Sequence, residues 1–115
     1  MSFLGQLWKI DSGKLVDKAK IWKSSDQWSF INKGVKNMFA IENTSSKKVL
    51  TRRFINYKEE ITEEIFDDDN NFGQNWEKGL FDYEGYFTLA DVSHSRQVLT
   101  SMSDTTLAIT GILTK

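Results

Sequence analysis

The sequence contains no cysteine and no proline. Without thiols neither a disulfide framework nor a thiolate metal site can form, which suits a reducing compartment. Without proline, no turn relies on a pyrrolidine ring to fix its backbone angle. Histidine is nearly absent: His94 stands alone in the serine-rich turn Val92-Ser93-His94-Ser95, with no recognisable acid partner, and reads as a surface turn residue rather than a base. No segment approaches the roughly 18 apolar residues of a membrane-spanning helix. The start, Met1 to Gln6, has no basic stretch leading into an apolar one, so no signal peptide is expected. The chain therefore reads as cytoplasmic, or as a fragment of a larger secreted protein. Asn43-Thr44-Ser45 matches a glycosylation acceptor but reads as a polar turn. No phosphate-binding glycine loop or nucleophile motif is present, and nothing places Glu59, Glu60, Glu63 and Glu64 across a cleft. Neither an enzyme nor a cofactor is expected.

What the chain has is aromatic. It carries eight Phe, four Trp and three Tyr in 115 residues, with 39% apolar content, enough for one folded domain spanning 1-115 and too little for a second core. The formal charge of −1 hides a division: residues 1 to 56 hold 11 Lys/Arg against 4 Asp/Glu, and residues 57 to 115 hold 4 against 12. Lys9, Lys14, Lys18, Lys20 and Lys23 interleave with Trp8 and Trp22 in the manner of a phosphate-gripping surface. The near-zero total works against attraction to a polyanion, and no nucleic-acid partner is expected. In Asp67-Asp68-Asp69-Asn70-Asn71, alternate residues offer oxygens to calcium. An EF-hand loop needs glycine at its sixth position and glutamate at its twelfth, where this chain has Phe72 and Lys78, so a solvated turn is expected and no metal.

Apolar and polar residues alternate over short runs at Leu7 to Ile10, Phe39 to Glu42, Phe87 to Ala90 and Leu107 to Thr110, the period of half-buried strands. Turn clusters at Asp11-Ser12-Gly13, Asn32-Lys33-Gly34, Asn43 to Ser46, Asp67 to Gly73 and Glu84-Gly85 separate them. The result is an all-β reading. Residues 57 to 66 are ambiguous: Tyr57, Ile61 and Ile65 lie four apart as on a helix, while the β-branched content favours a strand and long turn.

Two stretches repeat in register. Trp28, Phe39 and Val49-Leu50-Thr51 recur as Trp76, Phe87 and Val98-Leu99-Thr100, at an offset of 48 that grows to 49 after one insertion near His94. Such an offset marks duplicated units, which must pack together to bury their apolar faces. Gln74-Asn75-Trp76 stands where Asp26-Gln27-Trp28 stands one period earlier, and Gln6-Leu7-Trp8 gives the Gln-x-Trp pattern again. With the chain's ends brought together, Trp8 follows Trp76 by 47 positions. The expectation is a ring of three units, one shortened, with the termini side by side.

These signatures, with Tyr86 to Val92 followed by Gln97-Val98-Leu99-Thr100 and the parallel Phe39 to Asn43 followed by Lys47 to Thr51, resemble the ricin-type β-trefoil lectin family. The resemblance covers most of residues 5 to 111. It implies a β-trefoil of about twelve short strands: a six-stranded barrel capped by three hairpins, with pseudo-threefold symmetry. It implies sugar binding, of galactose-type glycans, in shallow pockets built from an aspartate after the Val-Leu phrase, an aromatic ring and an Asn-Gln pair. This chain departs from that pattern. Thr51 and Thr100 occupy the aspartate positions, Gly5 and Gly73 replace the asparagine, and Asp26 replaces a glutamine, while Asp17 remains as a carboxylate in the short unit. The best surviving pocket would use Thr51, Phe66, Asn71 and Gln74. A threonine hydroxyl offers a weaker bond than a carboxylate. Two functions follow: a carbohydrate-binding lectin-like module with weak or degenerate sites, or a sugar-blind trefoil acting as a protein–protein interaction module.

Overall fold

The computed structural model describes residues 3–33, 37–79, 81–93 and 97–112. His94 and Gly34 lie outside them. The described chain is all-β. A 3-10 turn, Phe3–Gln6, precedes ten strands: β1 Trp8–Asp11, β2 Lys14–Asp17, β3 Trp28–Asn32, β4 Met38–Asn43, β5 Val49–Ile55, β6 Lys58–Glu64, β7 Trp76–Lys78, β8 Leu89–Asp91, β9 Gln97–Ser101 and β10 Leu107–Gly111. Within the ambiguous run 57 to 66, Lys58–Glu64 is strand, because Ile61 and Thr62 pair with Arg52 and Thr51 in a full seven-residue ladder. Asn56 and Tyr57, both at positive φ, make the tight turn between β5 and β6.

Three hairpins share one register. Trp8 lies opposite Asp17, Trp28 opposite Asn43 and Trp76 opposite Asp91. Each tryptophan also meets the preceding or following hairpin: Trp76 pairs with Phe39, Trp8 with Phe87, and Trp28 N donates to Gly13 O at 2.8 Å. The six strands thereby close on themselves into a nearly barrel-shaped body. Gln6 Nε2 donates to Gly111 O at 2.8 Å, so the first and last described segments are neighbours as expected.

The core repeats in threes. The first set is Trp8, Trp28 and Trp76; the second is Leu15, Ile41 and Leu89, each two residues before the buried Asp17, Asn43 or Asp91. Leu50 and Leu99, at matching places in β5 and β9, form two members of a third set. These strands belong to the additional hairpins β5–β6 and β9–β10, and the first unit has no such hairpin. In its place runs residues 18 to 27, where Trp22 packs between Trp8 and Trp28, with ring centroids 5.8 and 6.1 Å away. Trp22 belongs to the same core cluster as Leu50 and Leu99. The described residues form ten strands, against the expected twelve.

Candidate functional site

The four residues expected to form a pocket divide into two kinds. Thr51 and Gln74 are fully buried and hold each other: Gln74 Nε2 donates to Thr51 Oγ1 at 3.2 Å and to Ile65 O at 3.0 Å. Thr51 Oγ1 donates onward to Val49 O, and Gln74 Oε1 accepts from Asp67 N. Every polar atom of the pair therefore has a protein partner. The equivalent residues repeat the arrangement, with Gln6 Nε2 donating to Thr100 Oγ1 at 3.5 Å and to Gly111 O at 2.8 Å, and Thr100 Oγ1 donating to Val98 O at 3.0 Å. These side chains fasten the starts of β7 and β1 to the hairpins β5–β6 and β9–β10.

Phe66 and Asn71 are half-buried. The Phe66 ring lies beneath Lys33 Nζ, 4.8 Å from its centroid. Asn71 Oδ1 accepts from Asn75 Nδ2 at 3.0 Å, and its carbonyl accepts from Gln74 N. Asn71 lines an open cleft of about 180 Å³ with Phe72, Asn75, Asp91 and Ser93, and Phe66 is not part of it. The aromatic ring of this cleft is Phe72, 57% exposed. Sequence reasoning passed over it in favour of Phe66, although Phe72 directly precedes the Gly73-Gln74-Asn75-Trp76 signature.

The floor of the cleft is rigid for an electrostatic reason. Arg52, 4% exposed, donates from Nε to the buried Asp91, from Nη2 to Ser93 Oγ at 3.1 Å and from Nη1 to Glu59 at 3.2 Å. Asp91 Oδ1 accepts from both the backbone and the hydroxyl of Ser93. The guanidinium also stands 4.9 Å from the Phe72 centroid, covering one ring face. Gly73 makes the close approach to β5 feasible: its φ is +81°, and a Cβ there would stand 2.3 Å from Arg52 O.

A second cleft, about 230 Å³, opens beside the short unit and is lined by Asp11, Leu15, Asp17, Trp22 and Tyr86, with Lys20 and Lys23. Its Tyr86 ring is already occupied by cations: Lys9 Nζ at 4.5 Å and Lys18 Nζ at 5.4 Å. Lys18 is fixed by Asp82 and Glu84 at 2.8 and 2.6 Å, and its hydrogen bond to Asp82 first, then that to Glu84, holds its ammonium above the usual lysine range. Asp17 is 1% exposed, its Oδ2 accepting from Ser101 Oγ and Ile21 N at 2.8 and 2.9 Å.

The acidic run is used for its turn. Asp67 Oδ1 accepts from the backbone of Asp69 and Asn70 at 2.9 and 3.0 Å. Among the described residues no helix is long and apolar enough to cross a membrane. No family model, curated protein or solved structure matches this chain.

Proposed function

We propose that the protein is a carbohydrate-binding module built as a β-trefoil with one shortened unit, and that it holds galactose-type glycans at the Phe72 cleft. The trefoil reading rests on the three hairpins of common register and on the ring they close. The sugar reading rests on one observation: an exposed ring flanked by amides and a hydroxyl in an open cleft. A pyranose presents an apolar C–H face and a hydroxyl edge. The free face of Phe72 would cover the first, while Asn71, Asn75 and Ser93 would exchange hydrogen bonds with the second. The nearby Asp91 is committed to Arg52 and Ser93, so no free carboxylate strengthens the site. A single sugar should bind with a Kd of about 1 mM or weaker.

A glycan array followed by NMR titration with galactose tests this. Chemical-shift changes centred on residues 71 to 75 and 91 to 93, lost in Phe72→Ala and retained in Phe66→Ala, are the expected result. An array without signal together with an unperturbed spectrum sinks it. The second reading, a sugar-blind interaction module, draws support from the Thr51–Gln74 and Thr100–Gln6 contacts, in which the residues at family sugar positions serve the fold instead.

A further inference from the structure

At one flank β6 and β10 approach each other, and among the described residues they are the two end strands of the sheet. A groove of about 510 Å³ runs along this flank over Ile61, Met102 and Leu107, with Glu59 and Glu60 on its rim. Met102 is 46% exposed. Glu60 makes no ion pair among the described residues.

The loop that replaces the hairpin lies beside this groove. Trp22 shares a small cleft with Ile61 and Leu107, and Lys23 N donates to Asp104 O at 2.9 Å. Ile21 N and Ser101 Oγ meet on one oxygen of Asp17, which puts Ile21 next to the segment leading to Met102. Ile21 is 37% exposed, and Lys20 and Lys23 on either side of it are exposed and make no ion pair among the described residues. An apolar groove with carboxylates of β6 in its lining is therefore neighboured by a loop that carries Ile21 and two lysines, which also line the cleft beside Tyr86.

We propose that this face is the contact surface of a symmetric dimer of the chain. A two-fold interface joins a patch to a copy of itself, so it needs both charges on one surface, set apart. Here a half-turn about the groove brings Lys20 and Lys23 of each copy to Glu60 of the other, and lays Ile21 against the second copy's Met102 and Leu107. Lys20 and Lys23 on the loop and Glu60 on β6 make no ion pair among the described residues, and these opposite charges supply the complementarity that favours a second copy.

The proposal predicts a monomer–dimer equilibrium in sedimentation velocity that shifts towards monomer as salt rises. Glu60→Lys alone, and Lys20→Glu with Lys23→Glu, should each weaken the dimer at least about tenfold. An equimolar mixture of the two variants should recover it, because each then offers the charge the other needs. Ile21→Asp, at an exposed position, should also dissociate it with the circular dichroism spectrum unchanged. Wild-type protein that stays monomeric up to about 1 mM overturns the proposal. If that monomer binds a lysine-rich peptide, the groove belongs to a foreign partner. A dimer that ignores both charge reversals, or a mixture that fails to re-form it, also overturns the proposal.

Discussion

Trp28 donates its indole N–H to the hydroxyl of Ser24 at 3.3 Å, where Trp8 and Trp76 donate theirs to the main-chain carbonyls of Leu99 and Leu50 at 2.9 and 3.2 Å. The two carbonyls come from β9 and β5, the strands for which the first unit has no counterpart. A serine side chain supplies the acceptor, and Trp22 supplies the apolar bulk. The short unit is thus a substitute assembled from two residues.

Those two residues should differ sharply in cost. Trp22→Ala should destabilise the protein by about 3 to 5 kcal/mol, because the cavity would open between two other tryptophans. Ser24→Ala should cost about 1 kcal/mol, mainly for the bond from Trp28, since the second bond that Ser24 Oγ accepts, from Asp26 N, is exposed. Urea unfolding followed by tryptophan fluorescence measures both.

The Arg52–Asp91 pair is enclosed, so removing one partner strands the other. Asp91→Ala should cost about 3 to 5 kcal/mol, while Arg52→Leu combined with Asp91→Leu should cost less than the sum of the two single changes. A double-mutant cycle reads the coupling. Additive losses would mean that the ion pair is not the origin of the effect.

Gly73 and Gly85 both have positive φ, yet their surroundings differ. A Cβ at Gly73 meets the Arg52 backbone, while nothing lies within 4 Å of one at Gly85. Gly73→Ala should therefore cost about 2 to 4 kcal/mol against about 1 kcal/mol for Gly85→Ala. Melting curves of the two variants give the comparison.

Acid should loosen the β5–β6 hairpin. The hydrogen bonds from Arg53, with a further one from Thr62, hold the Glu64 carboxyl below its usual 4.5. A carboxylate with a depressed folded-state pKa contributes stability that is fully present above the unfolded value and is lost as pH falls through the folded one. Stability should fall as the solution is acidified below about pH 4.5, and Glu64→Gln should flatten part of that slope. The pair is a third exposed, so its contribution at neutral pH should stay below about 1 kcal/mol. Denaturation at a series of pH values separates the two slopes.

Much of the barrel can be read from the sequence because its spacing survives there. Trp28 and Trp76 precede Asn43 and Asp91 by the same interval, and the phrase Leu15-Val16-Asp17 returns as Ile41-Glu42-Asn43 and Leu89-Ala90-Asp91. The first unit obeys a different count, since its hairpin turns tightly at Ser12 and Gly13, and only the wrapped interval to Trp8 betrays it. The cleft is harder to read. Phe66 and Phe72 are equally aromatic and flank the same acidic turn, and only the fold separates the ring under Lys33 from the ring in the cleft. Thr51 and Gln74 carry the right chemistry for a sugar, but their being turned towards each other is a property of the packing.

The bonds from Gln6 to residues 110 and 111 have a consequence for the order of assembly. Closing a loop of 105 residues costs about 4 kcal/mol of chain entropy, and little can be recovered until both ends have arrived. The middle unit, β3 to β6, is paired mainly by neighbours in sequence and can form early. Gln6 and Trp8 are synthesised long before their partners Phe87, Leu99 and Gly111. Until those partners have been made, the Trp8 indole lacks the Leu99 carbonyl it donates to.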